Sequence, residues 1–397
     1  MNQQKEIILK PKKDEFLKRF HPWVFSGAIS SKSSNLSEGD LVNVLSFQKE
    51  FLGIGHYQIG SIAVRILSFE EEKIDENFYE KRITSAYKMR NELGLIRTDN
   101  NVYRLIHGEG DNLPGLIIDM YGSTAVVQAH SVGMHTDQKL IVEALKRVFK
   151  NSPDFNVFYK SEGTLPFKAD IDFGDSYIYG NKSETHIAIE NGLKFKIDWL
   201  KGQKTGFFID QRDNRSLLEH YSSGRNVLNM FSYTGGFSVY ALRGGATEVV
   251  SVDSSSKAIS IADENVAMNF GDDPRHHSSS EDGFKFLSEM PQNKYNLIVL
   301  DPPAFAKHRG AINNALQGYK RLNHAAFSKI ASGGIVFTFS CSQVISKEQF
   351  RLTVFSAAAL SGRKVKILHQ LTQPTDHPIN IYHPEGEYLK GLVLYVE

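Results

Sequence analysis

Short apolar runs broken by glycine, serine and asparagine open the chain. Ile7-Ile-Leu-Lys, Gly39-Asp-Leu-Val-Asn-Val-Leu, Phe51-Leu-Gly-Ile-Gly-His-Tyr and Ile62-Ala-Val-Arg-Ile-Leu have the length and composition of strands, so the segment to about Phe69 reads as β-rich. After the charged break Glu70-Glu-Glu-Lys, the placing of Phe78, Ile83, Tyr87 and Met89 among charges predicts a helix from Asn77 to about Asn91. Tyr103-Arg-Leu-Ile-His, Leu116-Ile-Ile-Asp-Met-Tyr and Thr124-Ala-Val-Val-Gln-Ala-His predict three strands around the turn-rich Gly108 to Gly115. Leu140, Ile141, Ala144, Leu145 and Val148 predict one amphipathic helix over His135 to Phe149, and Val157-Phe-Tyr-Lys closes an α+β unit.

The period then changes. Asn191-Gly192 is a strong hairpin dipeptide between two alternating runs, and a helix is expected near Asn214 to Tyr221. From Asn226 onward buried-type strands alternate with helices, the pattern of a doubly wound α/β sheet. The expected organisation is a β-rich domain over residues 1–72, a central α+β domain over 73–185, a linking hairpin over 186–201 and an α/β domain over 202–397.

The α/β domain is organised around Asn226 to Gly236, an apolar strand entering small residues and then a helix. Such a turn lets backbone approach a ligand closely. Glu248-Val-Val-Ser-Val-Asp ends in Asp253, about 20 residues further on, where such folds place a carboxylate for ribose hydroxyls. Thr234, Gly235 and Gly236 lead into Phe237 and Ser238 without the third glycine that a dinucleotide pyrophosphate needs. That disfavours a nicotinamide dehydrogenase and favours S-adenosyl-L-methionine, which has no pyrophosphate. Glu281-Asp282-Gly283 and Asp301-Pro302-Pro303 are two further strand ends, where ligands of such sheets bind. The loop Gly202 to Arg215, with Gln211 and Arg212 beside Phe207 and Phe208, is denser in polar groups than a connector needs.

Composition narrows the setting. With 41% hydrophobic and 23% charged residues the chain is an ordinary globular sequence, and its length implies two or three domains. No run approaches the ~18 to 20 apolar residues of a membrane span, and the N-terminus lacks a signal-peptide core, so a cytoplasmic location without membrane contact is expected. The formal net charge of +1 does not advertise nucleic-acid binding, so any phosphate-binding face must be a local patch. Lys10 to Phe25 provides one candidate: Lys12, Lys13 and Arg19 interleave with Phe16, Phe20 and Trp23, which suits RNA. The alternative is a solvated helix whose aromatics are core.

Cys341, the single cysteine, excludes an intramolecular disulfide and a cysteine-rich zinc site. It follows the apolar run Ile335-Val-Phe-Thr-Phe, which delivers it to the same rim as Asp301. Carbon 5 of a pyrimidine is too weak a nucleophile to take a methyl group unless a thiolate first adds at carbon 6. A protonated Asp301 near ring nitrogen 3 would offset the developing charge. Phe305 could stack on a flipped base, with packing on the sheet as the alternative. A methylase directed at an amino group or a purine would leave Cys341 a bystander, and a SAM-binding assembly factor would need no turnover.

His21-Pro-Trp-Val-Phe-Ser-Gly, Glu109-Gly-Asp-Asn-Leu-Pro-Gly, Gly202-Gln-Lys-Thr-Gly-Phe-Phe, Leu228-Asn-Met-Phe-Ser-Tyr-Thr-Gly-Gly, Asp301-Pro-Pro-Ala-Phe and Ser340-Cys-Ser together make the chain resemble, over its whole length, the bacterial S-adenosylmethionine-dependent large-subunit ribosomal RNA cytosine-C5 methyltransferases. The resemblance implies a PUA-like RNA-binding domain, a central α+β domain and a class I (Rossmann-like) methyltransferase domain. It implies that Phe231, Ser232, Tyr233, Thr234, Gly235 and Gly236 hold the methionine part of the cofactor, Asp253 the ribose and Asp282 the adenine, with S-adenosyl-L-homocysteine as product. Gln211, Arg212, Asn229, Ser254, Gly283 and Pro302 complete the expected cofactor set. Cys341 would be the nucleophile with Asp301 at the target base; Pro303 and Phe305, with Lys12, Lys13, Arg19 and Trp23, would meet the RNA. No metal is expected, and related enzymes lead to the expectation of a homodimer. There is no second cysteine beside Asp301, where Ala304 stands, so release must rely on another group.

Overall fold

Period-two runs at the start of the chain fold as a six-stranded sheet. In the computed structural model, which describes residues 5–165, 174–181 and 186–397, strands Glu6–Leu9, Trp23–Phe25, Ile29–Lys32, Leu41–Leu45, Phe51–Tyr57 and Ile62–Ser68 pair in that sheet. Ile7, Leu9, Val42, Val44, Val64 and Ile66 supply its core. The basic and aromatic stretch is not a core helix. Only Glu15–Lys18 is helical, and Phe16, Phe20 and Phe25 are 63%, 49% and 43% exposed.

A five-stranded sheet follows, in the order Ser176–Tyr179, Asn156–Tyr159, Thr124–Ala129, Leu116–Tyr121, Val102–His107. Helix Glu76–Glu92 is capped by Asp75, whose side chain accepts from the backbone N–H groups of Asn77 and Phe78. The single helix expected over His135 to Phe149 is two, Val132–Thr136 and Gln138–Val148. The break falls at Asp137, whose carboxylate accepts from the Tyr79 hydroxyl at 2.5 Å and lies 3.0 Å from His56 Nε2. The expected end of the central domain at residue 185 lies outside the described residues.

Two compact units partition the chain out of sequence order. The first takes Met1–Ile189, Ile197–Ile209 and Thr375–Gly386; the second takes Glu190–Lys196, Asp210–Pro374 and Glu387–Glu397. Thr375–Gly386 belongs to the first because its polar groups are used there: Asp376 Oδ2 accepts from Arg104 N at 3.0 Å and its carbonyl from Arg90 Nη2 at 2.8 Å.

The second unit is built on a seven-stranded sheet: β1 Asn226–Met230, β2 Glu248–Asp253, β3 His276–Ser280, β4 Leu297–Leu300, β5 Gly334–Ser340, β6 Val365–Leu371 and β7 Lys390–Val396, in the order β3-β2-β1-β4-β5-β7-β6. β1 to β5 are parallel, and β7 inserts antiparallel between β5 and β6. The strand order reverses direction between β1 and β4, the switch point where ligands of such sheets bind. Helices α1 Arg212–Tyr221, α2 Gly236–Arg243 and α3 Ser256–Phe270 pack on one another, as do α4 Gly283–Glu289, α5 Ile312–Lys329 and α6 Lys347–Ser361. Right-handed crossovers on either side of the switch put the two groups on opposite faces. Ser346 and Gln349 form a capping box that starts α6. Among the described residues, no helix is long and apolar enough to cross a membrane.

Candidate active site

The end of β1 is strained. Phe231 has φ +59 and Tyr233 φ +46, left-handed backbone that side chains other than glycine seldom adopt. Gly235, at φ +77, has no such cost, and a Cβ there would lie 2.9 Å from the Cβ of Ala262 on α3. Two interactions over-determine the turn: Ser232 N donates to Val252 O at 3.0 Å, and Tyr233 N donates to Asp253 Oδ2 at 2.9 Å. Asp253 Oδ1 accepts from Ser255 N at 2.9 Å. Each oxygen thus keeps lone-pair capacity for a ribose hydroxyl. Ser232 Oγ is buried with no hydrogen-bond partner among the described residues, and such orphans are rare unless a ligand or water serves them. The turn therefore fits the cofactor expected there.

Other members of the expected cofactor set have visible structural work. Asn229 donates from Nδ2 to Ser238 Oγ at 2.9 Å, in a buried chain that continues to Ser251 and His276. Thr234 is buried, its carbonyl accepting from Asn265. Gly236 begins α2 within 3.1 Å, measured from an added Cβ, of Arg215 Cδ. Ser254 is exposed at the end of β2. Asp282 caps α4 by accepting from Lys285 N at 2.9 Å. A Cβ on Gly283 would meet the Phe231 ring at 2.9 Å, so these two positions from separate strand ends do come together.

β4 and β5 pair in parallel with Leu300 opposite Thr338, so Asp301 and Cys341 emerge at one rim. Ser342 ties the two loops, its Oγ donating to Ala306 O at 2.6 Å. Asp301 accepts from Gln211 Nε2 at 3.1 Å, and Gln211 Oε1 in turn accepts from Asn214 at 2.6 Å. Burial, then the charge of Asp210, pushes the Asp301 carboxyl up to about 7, against the pull of Gln211 and Arg215. Part of the Asp301 residue surface stays open although its carboxyl is enclosed. Pro302 is buried and Pro303 exposed. Phe305 is half-buried, its ring 4.6 Å from that of Tyr319 and 6.1 Å from that of Phe284. Arg212 is buried at the start of α1.

Asp210 and Arg215 belong to the polar loop the sequence singled out, whereas Glu190, Tyr240, Tyr319 and Lys390 carried no signal there. Asp210 Oδ2 accepts from the Tyr388 hydroxyl at 2.7 Å. Arg215 forms a buried bidentate pair with Glu190, to which Tyr240 also donates. Burial pushes the Tyr319 phenol, beside Ser340 and Cys341, up to about 12. Lys390, the first residue of β7 and paired in register with Ser340, is buried; its Nζ donates to Ser342 O at 2.6 Å and Ile345 O at 2.8 Å. Only the register of β7 against β5 reveals it. Among the described residues, no group of three or more His, Cys, Asp and Glu is arranged to hold a metal ion.

In the first unit Lys12, Lys13 and Arg19 are exposed. Trp23 is half-buried, donating from Nε1 to Glu109 Oε1 at 2.8 Å with its ring 4.2 Å from that of His383.

Residues 103–380 match the family model of S-adenosylmethionine-dependent methyltransferases, and residues 7–69 match that of a PUA-like domain. The chain is 39% identical over 395 residues to the ribosomal RNA large subunit methyltransferase I of Alteromonas mediterranea, covering 98% of each chain. It is 35% identical to the protein of the same name from Escherichia coli O9:H4, covering 98% of this chain and 99% of that one. A solved Streptococcus mutans chain, described as a SAM-dependent methyltransferase, superposes with a TM-score of 0.84 at 22% identity, over 98% of this chain and 100% of its own, and shows the shared fold. By the match over 103–380 and by these relatives, the chain belongs to the S-adenosylmethionine-dependent methyltransferase family, with a PUA-like domain ahead of its class I methyltransferase domain.

Proposed function

We propose that this chain methylates carbon 5 of a cytidine in large-subunit ribosomal RNA through a covalent adduct at Cys341. The observation that carries the reading is the pairing at one rim of a thiol with a carboxyl that burial keeps protonated to about pH 7, their loops joined by the Ser342 to Ala306 hydrogen bond. The names of the relatives that match over nearly the whole chain support the RNA class. The exposed Lys12, Lys13 and Arg19, with Trp23 and the open rings of Phe16 and Phe20, would hold the RNA.

S-adenosylmethionine supplies an electrophilic methyl group when bound. Ser232, Asp253 and the turn from Phe231 to Gly236 would hold it, with Gln211, Arg212, Asn229, Ser254, Asp282, Gly283 and Pro302 around them. The Cys341 thiolate adds to carbon 6 of the base, and the displaced electron pair comes to rest at carbon 5. Protonated Asp301 donates toward ring nitrogen 3 and offsets the charge that builds there. Carbon 5 would then take the methyl group, the methyl–sulfur bonding pair staying on the donor sulfur, which would leave as the thioether S-adenosyl-L-homocysteine. A base removes the carbon 5 proton, the freed electron pair restores the ring double bond, and the thiolate leaves. Pro303 and Phe305 would bound the pocket for the base. A neutral Asp301 suits this chemistry, because an ionised carboxylate would repel the electron density arriving in the ring.

The test is transfer of radiolabel from S-adenosylmethionine to unmodified large-subunit RNA, followed by digestion and identification of the labelled nucleoside. Label in 5-methylcytidine that is lost with Cys341→Ala is the expected result. Label in another nucleoside, or label that survives the substitution, would overturn the reading.

A further inference from the structure

A buried lysine is a costly residue unless its charge is used. Burial pulls the Lys390 ammonium down to about 8, and a Lys347 charge adds to that, while Cys341 and Glu387 hold the proton on. The hydrogen bonds of Lys390 go to neutral acceptors, the carbonyls of Ser342 and Ile345, which lie one and four residues past Cys341. An ammonium has three donors, so these two contacts seat the cation beneath the turn that carries the thiol. Glu387 is engaged by Lys347 in an ion pair. Other titratable groups near the turn among the described residues include the buried phenol of Tyr319 on α5 and the carboxyl of Asp301 beyond β4. Neither supplies positive charge, and among the described residues Lys390 is a buried cation bonded to the Cys341 turn.

We infer that Lys390 is the positioning residue for the nucleophile: its ammonium braces the Ser340 to Ile345 turn and holds the Cys341 sulfur as thiolate. The catalytic consequence rests on the covalent reading above. The thiol releases its proton to solvent before addition, the ammonium keeps its own, and no atom of Lys390 enters a bond to the base. A nearby cation is one of the ordinary means by which a protein lowers a thiol from its usual value of about 8.5. The inserted antiparallel β7 is what brings it there.

Because Cys341 is the only cysteine, alkylation by iodoacetamide reads this thiol alone in the intact chain. The rate is measured against pH for the parent, Lys390→Met and Lys390→Gln; the last keeps a donor for the two carbonyls and removes the charge. The parent is expected to show an apparent thiol pKa below about 8.5. Both variants should raise it by about one unit and slow alkylation at pH 7 about tenfold, with thermal melting of Lys390→Gln near that of the parent. A parent value at or above about 8.5, or a folded Lys390→Gln variant with the parent profile, would overturn the inference, and the parent measurement decides it even where a variant fails to fold. The two claims fail separately. Loss of methyl transfer in Cys341→Ala with an unshifted alkylation profile would remove Lys390 and keep the covalent reading. A shifted profile with an active Cys341→Ala would do the reverse.

Discussion

Two buried polar clusters in this molecule are built on opposite rules. In the first unit Arg90 pairs bidentately with Asp111 at 2.5 and 2.7 Å, and Arg104 with Asp119 at 2.8 and 2.9 Å. Spare capacity is used up as well: Arg90 Nε donates to Arg104 O, and Thr205 donates to Asp119 Oδ2. At the rim of the second unit Asp301 meets a neutral amide and Lys390 meets neutral carbonyls, and both have shifted toward their uncharged forms. A buried charge whose partner is present is part of the architecture. One whose partners are neutral has its proton affinity moved toward neutrality, and such groups gather where reactants bring the complementary charge.

Substitutions should separate the two clusters. The largest effect on activity is expected for Cys341→Ala, with methyl transfer below detection and a melting temperature close to the parent, measured by label transfer and calorimetry. The largest effect on stability belongs to the paired cluster. Arg90→Met leaves Asp111 buried without its partner and should cost about 3–5 kcal/mol in denaturant unfolding.

Asp301→Asn should lower kcat/KM about 10²- to 10⁴-fold. In the parent, the carboxyl loses its proton as pH rises through about 7, so kcat/KM should carry a descending limb there that the Asn variant lacks. Stability follows the same sign. A carboxyl raised from about 3.9 contributes fully below that value, and the contribution is lost progressively as pH rises to about 7. Asp301→Asn should therefore be more stable than the parent at pH 8. Smallest is Ser342→Ala, which removes one hydrogen bond between the loops and should cost about 1 kcal/mol with a modest loss of rate.

The comparison also marks what a sequence can carry. β1, β2, β4 and β5 were legible because each is a short apolar run ending in a polar or glycine-bearing turn. Those ends name Asp253, Asp301 and Cys341 directly. β3 was legible only by its end at Glu281 to Gly283, because His276 to Ser280, with no apolar residue, forms an edge strand with no alternation to detect. Strands Trp23–Phe25 and Ile29–Lys32 were not read, because the first lies in a stretch whose basic and aromatic residues pointed to RNA and the second, Ile-Ser-Ser-Lys, has a single apolar residue. The helix broken at Asp137 depends on Tyr79 and His56, far away in the chain. Glu190 with Arg215, and Lys390 beside the Cys341 turn, likewise depend on pairings between distant segments. Local period encodes elements and their ends; the partners of a buried charge are set by topology.

The central claim is that Cys341 bonds to the base under the control of this incompletely paired rim, and a mechanism-based trap tests it most directly. With 5-fluorocytidine in the RNA, the base cannot lose fluorine as a proton is lost, so the thiolate cannot be expelled after methyl transfer. Incubation with S-adenosylmethionine should give a protein–RNA adduct stable on a denaturing gel, with the modified peptide mapping to Cys341 and no adduct from Cys341→Ala. Turnover of cytidine RNA without any adduct on the fluorinated RNA, or an adduct that persists in Cys341→Ala, would contradict it.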